Sequence, residues 1–128
     1  MLFIYGTLRA GCRNRHHIGQ YIISETPAIT LGKLFMRAGY RSPFLNAQGD
    51  TRVLGELIEL QDEAPTLKNL DVAEGQNYVR TKITVTTKEE LSQEAWAYVS
   101  RWEDVPRDAD IINSGDYVQY LRDGGRSI

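Results

Sequence analysis

Between Tyr78 and Thr86 the chain alternates strictly. Val79, Thr81, Ile83 and Val85 fall on one side and Tyr78, Arg80, Lys82 and Thr84 on the other. A period of two belongs to an extended strand and not to a helix. Glu94 to Val99 follows in the same style, with Trp96 and Tyr98 opposite Ala95, Ala97 and Val99. The polar segment Thr87 to Gln93 between them suits a hairpin loop, so an antiparallel pair belongs to any fold this chain adopts. Further short apolar runs lie at Leu2 to Tyr5, ended by Gly6, at Ile29 to Met36, and at Val53 to Leu60. Each reads as a strand, although Gly32 and Lys33 blur the inward face of the second.

Two helices complete the pattern. In the first, Asp62 stands where a cap is needed, Pro65 falls in the tolerant first turn, and Gly75 supplies a left-handed stop. The second is predicted from Ser114 as N-cap, through Tyr117, Val118, Tyr120 and Leu121, to Gly124 and Gly125. Asn14 to Gln20 has weaker helical character. Several strands with two or three short helices predict an α+β domain. Few strands have a fully polar face, so a small, strongly twisted, barrel-like mixed sheet is expected.

The chain has 128 residues with 15 Lys plus Arg against 17 Asp plus Glu, one domain's worth at a net charge of -2. That balance excludes the strongly basic profile of a nucleic-acid binder. Cys12 is the only cysteine, so neither an intrachain disulfide nor a Cys-rich zinc site can form within the chain. With no long apolar run and no leader-like N-terminus, a soluble cytoplasmic protein that binds neither nucleic acid nor membrane is expected.

The first helix carries the most informative acid. Leu67, Leu70 and Glu74 are spaced i, i+3, i+7 and share one face, so Glu74 stands where an apolar residue belongs. Desolvation and the negative end of the helix dipole both disfavour its ionised form, which predicts a raised pKa and a carboxylate suited to general-base work at neutral pH. The alternative is a glutamate leaning outward from a frayed helix end. A second feature is the run Tyr5-Gly6-Thr7-Leu8-Arg9, where a strand ends in a glycine turn. Consecutive amides in such a turn can cradle a developing negative charge, although strand-glycine-polar turns are also ordinary structure.

These residues together resemble a known family. Tyr5-Gly6-Thr7-Leu8-Arg9 with Gly11 and Asn14, then Leu70-Asp71-Val72-Ala73-Glu74-Gly75 with Tyr78 and Arg80, and finally Ser114-Gly115-Asp116-Tyr117 with Tyr120, are similar to the γ-glutamylcyclotransferase-like superfamily. Tryptophan is more usual there at the position of Tyr117. The resemblance implies a cavity between the N-terminal loop and the glutamate helix, and release of 5-oxoproline from a γ-glutamyl compound without metal or cofactor. By position, Glu74 would be the general base and Tyr5, Gly6, Thr7 and Leu8 the substrate-binding loop. Tyr78 and Tyr120 are candidate lining residues. Arg9 and Arg80 are candidates for the substrate α-carboxylate, with structural pairing as the alternative for each.

Two other classes of function compete. A non-catalytic module could use the same cavity for a small amino-acid-like ligand. Cys12 with His16 or His17 could act as a thiol nucleophile and its base, although the spacing carries no recognisable nucleophile elbow. The acids Glu103, Asp104, Asp108 and Asp110 match no calcium-loop spacing and read as a solvated loop. The sequence fixes neither the leaving group nor the oligomeric state.

Overall fold

The structure, a computed structural model, describes residues 1–125. Its strands are β1 (Leu2–Ile4), β2 (Ile22–Met36), β3 (Phe44–Leu60), β4 (Tyr78–Thr87), β5 (Ser92–Ser100) and β6 (Asp110–Ile111), and its α-helices are α1 (Glu63–Glu74) and α2 (Tyr117–Arg122). Short 3₁₀ turns at Arg15–His17 and Gly19–Tyr21 take the place of the weak helix expected near Asn14 to Gln20, and a third, Gly75–Asn77, follows α1. The sheet order is β3-β1-β5-β4-β2-β6, and β2 also pairs with β3, which closes five strands into a barrel. β1 runs parallel to β5, while the other pairings are antiparallel, so the sheet is mixed. This is the α+β, barrel-like fold that the strand pattern predicts. Among the described residues no helix is long and apolar enough to cross a membrane.

The continuous apolar run of β1 follows from cover on both faces. Phe3 and Tyr5 enter the barrel core with Leu34, Leu45, Val53, Leu57 and Val85. Leu2 and Ile4 point the other way, into a second cluster with Ile58, Leu60, Leu67, Leu70 and Tyr98. Leu67 and Leu70 are the apolar face of α1, so this helix lies against the outside of the sheet beside β1 and β5. Gly55 lets β1 approach β3: a Cβ there would lie 2.0 Å from the Ile4 carbonyl oxygen.

Several local expectations change. β2 and β3 are longer than the apolar runs at Ile29 to Met36 and Val53 to Leu60, and extend through Pro27 and through polar residues 46–52. Their register shifts between Gly32 and Lys33, where Thr51 and then Asn46 are the partners, so residues 47–50 bulge out of the ladder. Asp62 does occupy the cap position of α1, but its backbone is left-handed and its side chain caps nothing. Gly75 ends that helix at φ 75° as expected. The cap of α2 is Asp116 rather than Ser114: its carboxylate accepts from the amides of Val118 (3.1 Å) and Gln119 (3.3 Å). On β4 the alternation holds but the cover is uneven, since Val85 is fully buried and Val79 is 51% exposed.

Candidate active site

α1 brings Glu74 to the end of the sheet one turn beyond Leu70, while the first strand delivers the Tyr5 to Leu8 loop to the same place. The two meet in a cavity lined by Tyr5, Gly6, Thr7, Leu8, Glu74 and Tyr78, joined by Phe3, Ile4, Ser42, Pro43 and Tyr98. It encloses about 30 Å³, room for roughly one water.

Glu74 carries the unusual chemistry. Burial pushes its carboxyl from the ordinary 4.5 up to about 7, against the opposing pull of the Arg13 charge. Among the described residues this carboxyl makes no hydrogen bond or ion pair. The neighbouring acid on the same helix behaves differently: Asp71 accepts from Arg80 (2.8 and 3.2 Å) and from the Tyr98 hydroxyl (2.8 Å), and its pKa is lowered. A structural carboxylate and an unpaired one thus stand three residues apart.

The loop is held by its own bonds. Arg9 N–H donates to the Gly6 carbonyl (3.0 Å), Asn14 N–H to the Thr7 carbonyl (3.0 Å), and the Asn14 side-chain amide to Thr7 Oγ1 (2.9 Å). The N–H groups of Gly6, Thr7 and Leu8 donate to no protein acceptor among the described residues. Three neighbouring donors are therefore available along one cavity wall. Gly6 sits where a Cβ would come within 2.7 Å of Pro43 Cγ, so the glycine lets the facing segment close over the loop.

The two lining tyrosines differ in role. Tyr5 is fixed by its phenol, which donates to the Tyr98 carbonyl and accepts from Leu45 N–H (3.2 Å). Tyr78 stacks on Phe44 with ring centroids 4.8 Å apart and donates to the Pro43 carbonyl at 2.8 Å. Burial and the nearby Glu74 raise the pKa of Tyr78, so it stays a neutral donor.

Tyr120 is not brought here. Its hydroxyl reaches Asp110 (3.4 Å) at a separate surface hollow lined by Asp110 to Ser114 and Asp123 to Gly125, because α2 turns that ring away from the cavity. Arg9 and Arg80 take the structural alternative. Arg9 donates to Glu56 (3.0 and 3.0 Å) and Asp116 (2.8 Å), and Arg80 is bound to Asp71 beneath the Trp96 ring. Burial pushes the Cys12 thiol pKa up, and His16 and His17, with ring centroids 4.2 Å apart and planes tilted by 36°, lie in the open, away from the cavity.

Ser42, Pro43, Tyr98 and Arg13 were not legible as site residues. Only Arg13 had a local signal, its position inside the loop beside Asn14. A wider hollow of about 770 Å³ lies between β2, β3 and the end of β4; of the charged residues along it, Glu56 and Arg9 are paired with each other, and Arg52, Lys88 and Glu90 also line it.

Residues 2–119 match the family described as gamma-glutamyl cyclotransferase, AIG2-like. The chain belongs to that family. Solved structures agree on the fold. An AIG2-like protein from Mus musculus superposes with a TM-score of 0.77 at 21% identity, over 99% of this chain and 93% of its own. PH0828 from Pyrococcus horikoshii gives 0.68 at 22% identity, over 96% and 93%. YkqA from Bacillus subtilis gives 0.74 at 26% identity and covers 96% of this chain, which in turn spans only 41% of YkqA. No curated protein matches the sequence.

Proposed function

We propose that this chain is an active γ-glutamyl cyclotransferase that releases 5-oxoproline from a small γ-glutamyl substrate, with Glu74 as general base. The observation that carries this reading is a partly buried carboxyl with a pKa near 7 and no protein partner, in one cavity with a loop whose amides are free. Membership of the family supports it.

The chemistry suits such a site. The α-ammonium of the glutamyl group lies against Glu74, whose carboxylate takes its proton. The freed amine nitrogen bonds to the γ-carbonyl carbon, and the carbonyl π pair moves to the oxygen. Amides of Gly6, Thr7 and Leu8 hold that oxyanion; one such donor is typically worth about 100-fold or more in rate. Glu74 then passes its proton to the leaving nitrogen and takes the remaining extra proton from the ring nitrogen, so collapse breaks the bond to the leaving nitrogen, expels the amine and leaves a neutral lactam. No water is consumed. The attack is intramolecular, so the fold's main task is to hold the glutamyl chain bent, and effective molarities of roughly 10⁵ to 10⁸ M show how much orientation alone supplies.

The test is 5-oxoproline release by the purified protein over γ-glutamyl amino acids, γ-glutamyl amines and ε-(γ-glutamyl)lysine. Release from at least one class is the expected result. Tight binding of such compounds without any release would make the cavity a binding module instead.

A further inference from the structure

The loop that lines the cavity continues through three arginines, and two are committed to carboxylates. Arg9 holds Glu56 and Asp116, and Arg15 forms a bidentate pair with Glu25 at 2.8 and 3.0 Å. Arg13, between them, is exposed and pairs with no carboxylate among the described residues. Its guanidinium instead donates to the neutral hydroxyl of Ser42 at 2.8 Å. Ser42 lines the cavity from the segment that faces the loop, so the bond ties Arg13, just outside the lining residues, to the cavity wall. Glu74 and Tyr78 both feel the Arg13 charge, which partly offsets the upward push that burial gives each of them.

We propose that Arg13 is a specificity residue that receives the carboxylate of an α-amino-acid leaving group, making γ-glutamyl amino acids the substrate class in preference to γ-glutamyl amines. This rests on the cyclotransferase reading above. The glutamyl half has its ammonium at Glu74 and its carbonyl oxygen at the loop amides, so the leaving half extends toward the rim where Arg13 stands. In an α-amino acid the carboxylate sits on the carbon next to the scissile nitrogen, within reach of a rim cation. A carboxylate is also a stronger partner for guanidinium than a hydroxyl, so it displaces Ser42. That exchange releases the bond across a cavity which in this state has room for about one water, and it couples opening to the correct substrate. An alkylamine leaving group offers Arg13 nothing, and a polyamine is repelled.

The experiment compares γ-glutamylalanine with γ-glutamylalaninamide, which differ only in the leaving-group charge, on wild type, Arg13→Gln and Arg13→Lys. Wild type is expected to prefer the acid by about tenfold or more in kcat/KM, chiefly through KM. Arg13→Gln should bring that ratio close to one, and Arg13→Lys should retain part of it. An equal loss on both substrates would overturn the proposal, because the guanidinium would then serve the glutamyl half or the loop. A second readout needs no turnover: calorimetric binding of N-glutarylalanine and N-glutarylalaninamide, which have no amine to cyclise. A wild-type preference for the acid that disappears in Arg13→Gln supports the assignment even if no 5-oxoproline is released, whereas equal affinities in wild type refute it.

Discussion

Arg9 and Asp116, 107 positions apart in the sequence, are joined by a 2.8 Å hydrogen bond between guanidinium and carboxylate. Because Asp116 also caps α2 and Arg9 also holds Glu56 on β3, this one side chain ties the cavity-lining loop to two other elements. Arg9→Met leaves Glu56 and Asp116 as neighbouring, partly buried anions. It is expected to lower unfolding stability by about 2–4 kcal/mol in urea titrations, since breaking a pair from one side costs more than the pair is worth. Asp116→Asn keeps most of the cap and should cost less.

The Glu74 carboxyl makes a prediction about stability as well as catalysis. Its folded pKa of about 7 lies above the ordinary 4.5. Between those values the folded chain holds a proton that the unfolded chain has released, so stability falls as pH rises through this window and stays low above it. Glu74→Gln escapes that loss. Its Tm should exceed that of wild type near pH 8, by the equivalent of at most about 3 kcal/mol, and match it near pH 4. Thermal melts at the two pH values check this.

Tyr5 tests the separation of structure from chemistry within the loop. Tyr5→Phe leaves the Tyr98 carbonyl and the Leu45 N–H without their buried partner. A loss of about 1–3 kcal/mol is expected, with the pH dependence of turnover unchanged. A shifted pH profile would place the phenol in the reaction.

Two glycines should respond differently to a methyl group. Gly55→Ala drives Cβ into the Ile4 carbonyl oxygen, where only backbone can give way, and is expected to prevent the β1–β3 pairing and so the fold. Gly6→Ala meets the ring of Pro43, which can shift. Circular dichroism should show Gly6→Ala folded, with turnover reduced because the cavity wall is displaced.

What could be read from the sequence was local. The alternation in β4, the apolar face of α1, the Gly75 stop and the misplaced Glu74 are each set by neighbours within a few residues, and the structure keeps them. Pro27 and the polar residues 46–52 hide the full lengths of β2 and β3, because only the barrel closure makes strands of those segments. Ser114 and Asp116 are both good capping residues two positions apart, and the Arg9 pairing accompanies the choice of Asp116. The helical pattern around Tyr120 does not set which way its ring faces, and in the structure its hydroxyl turns to Asp110. The convergence of Ser42, Pro43 and Tyr98 on the cavity is a tertiary fact without a short-range signature.

The most direct test of the account is the pH dependence of 5-oxoproline release from γ-glutamylalanine by wild type and by Glu74→Gln. The account predicts that kcat/KM for wild type falls about tenfold per unit below a pH near 7, and that Glu74→Gln, folded and at least as stable, loses about 10²- to 10⁴-fold in rate together with that acid limb. Wild-type turnover retained by Glu74→Gln would contradict it.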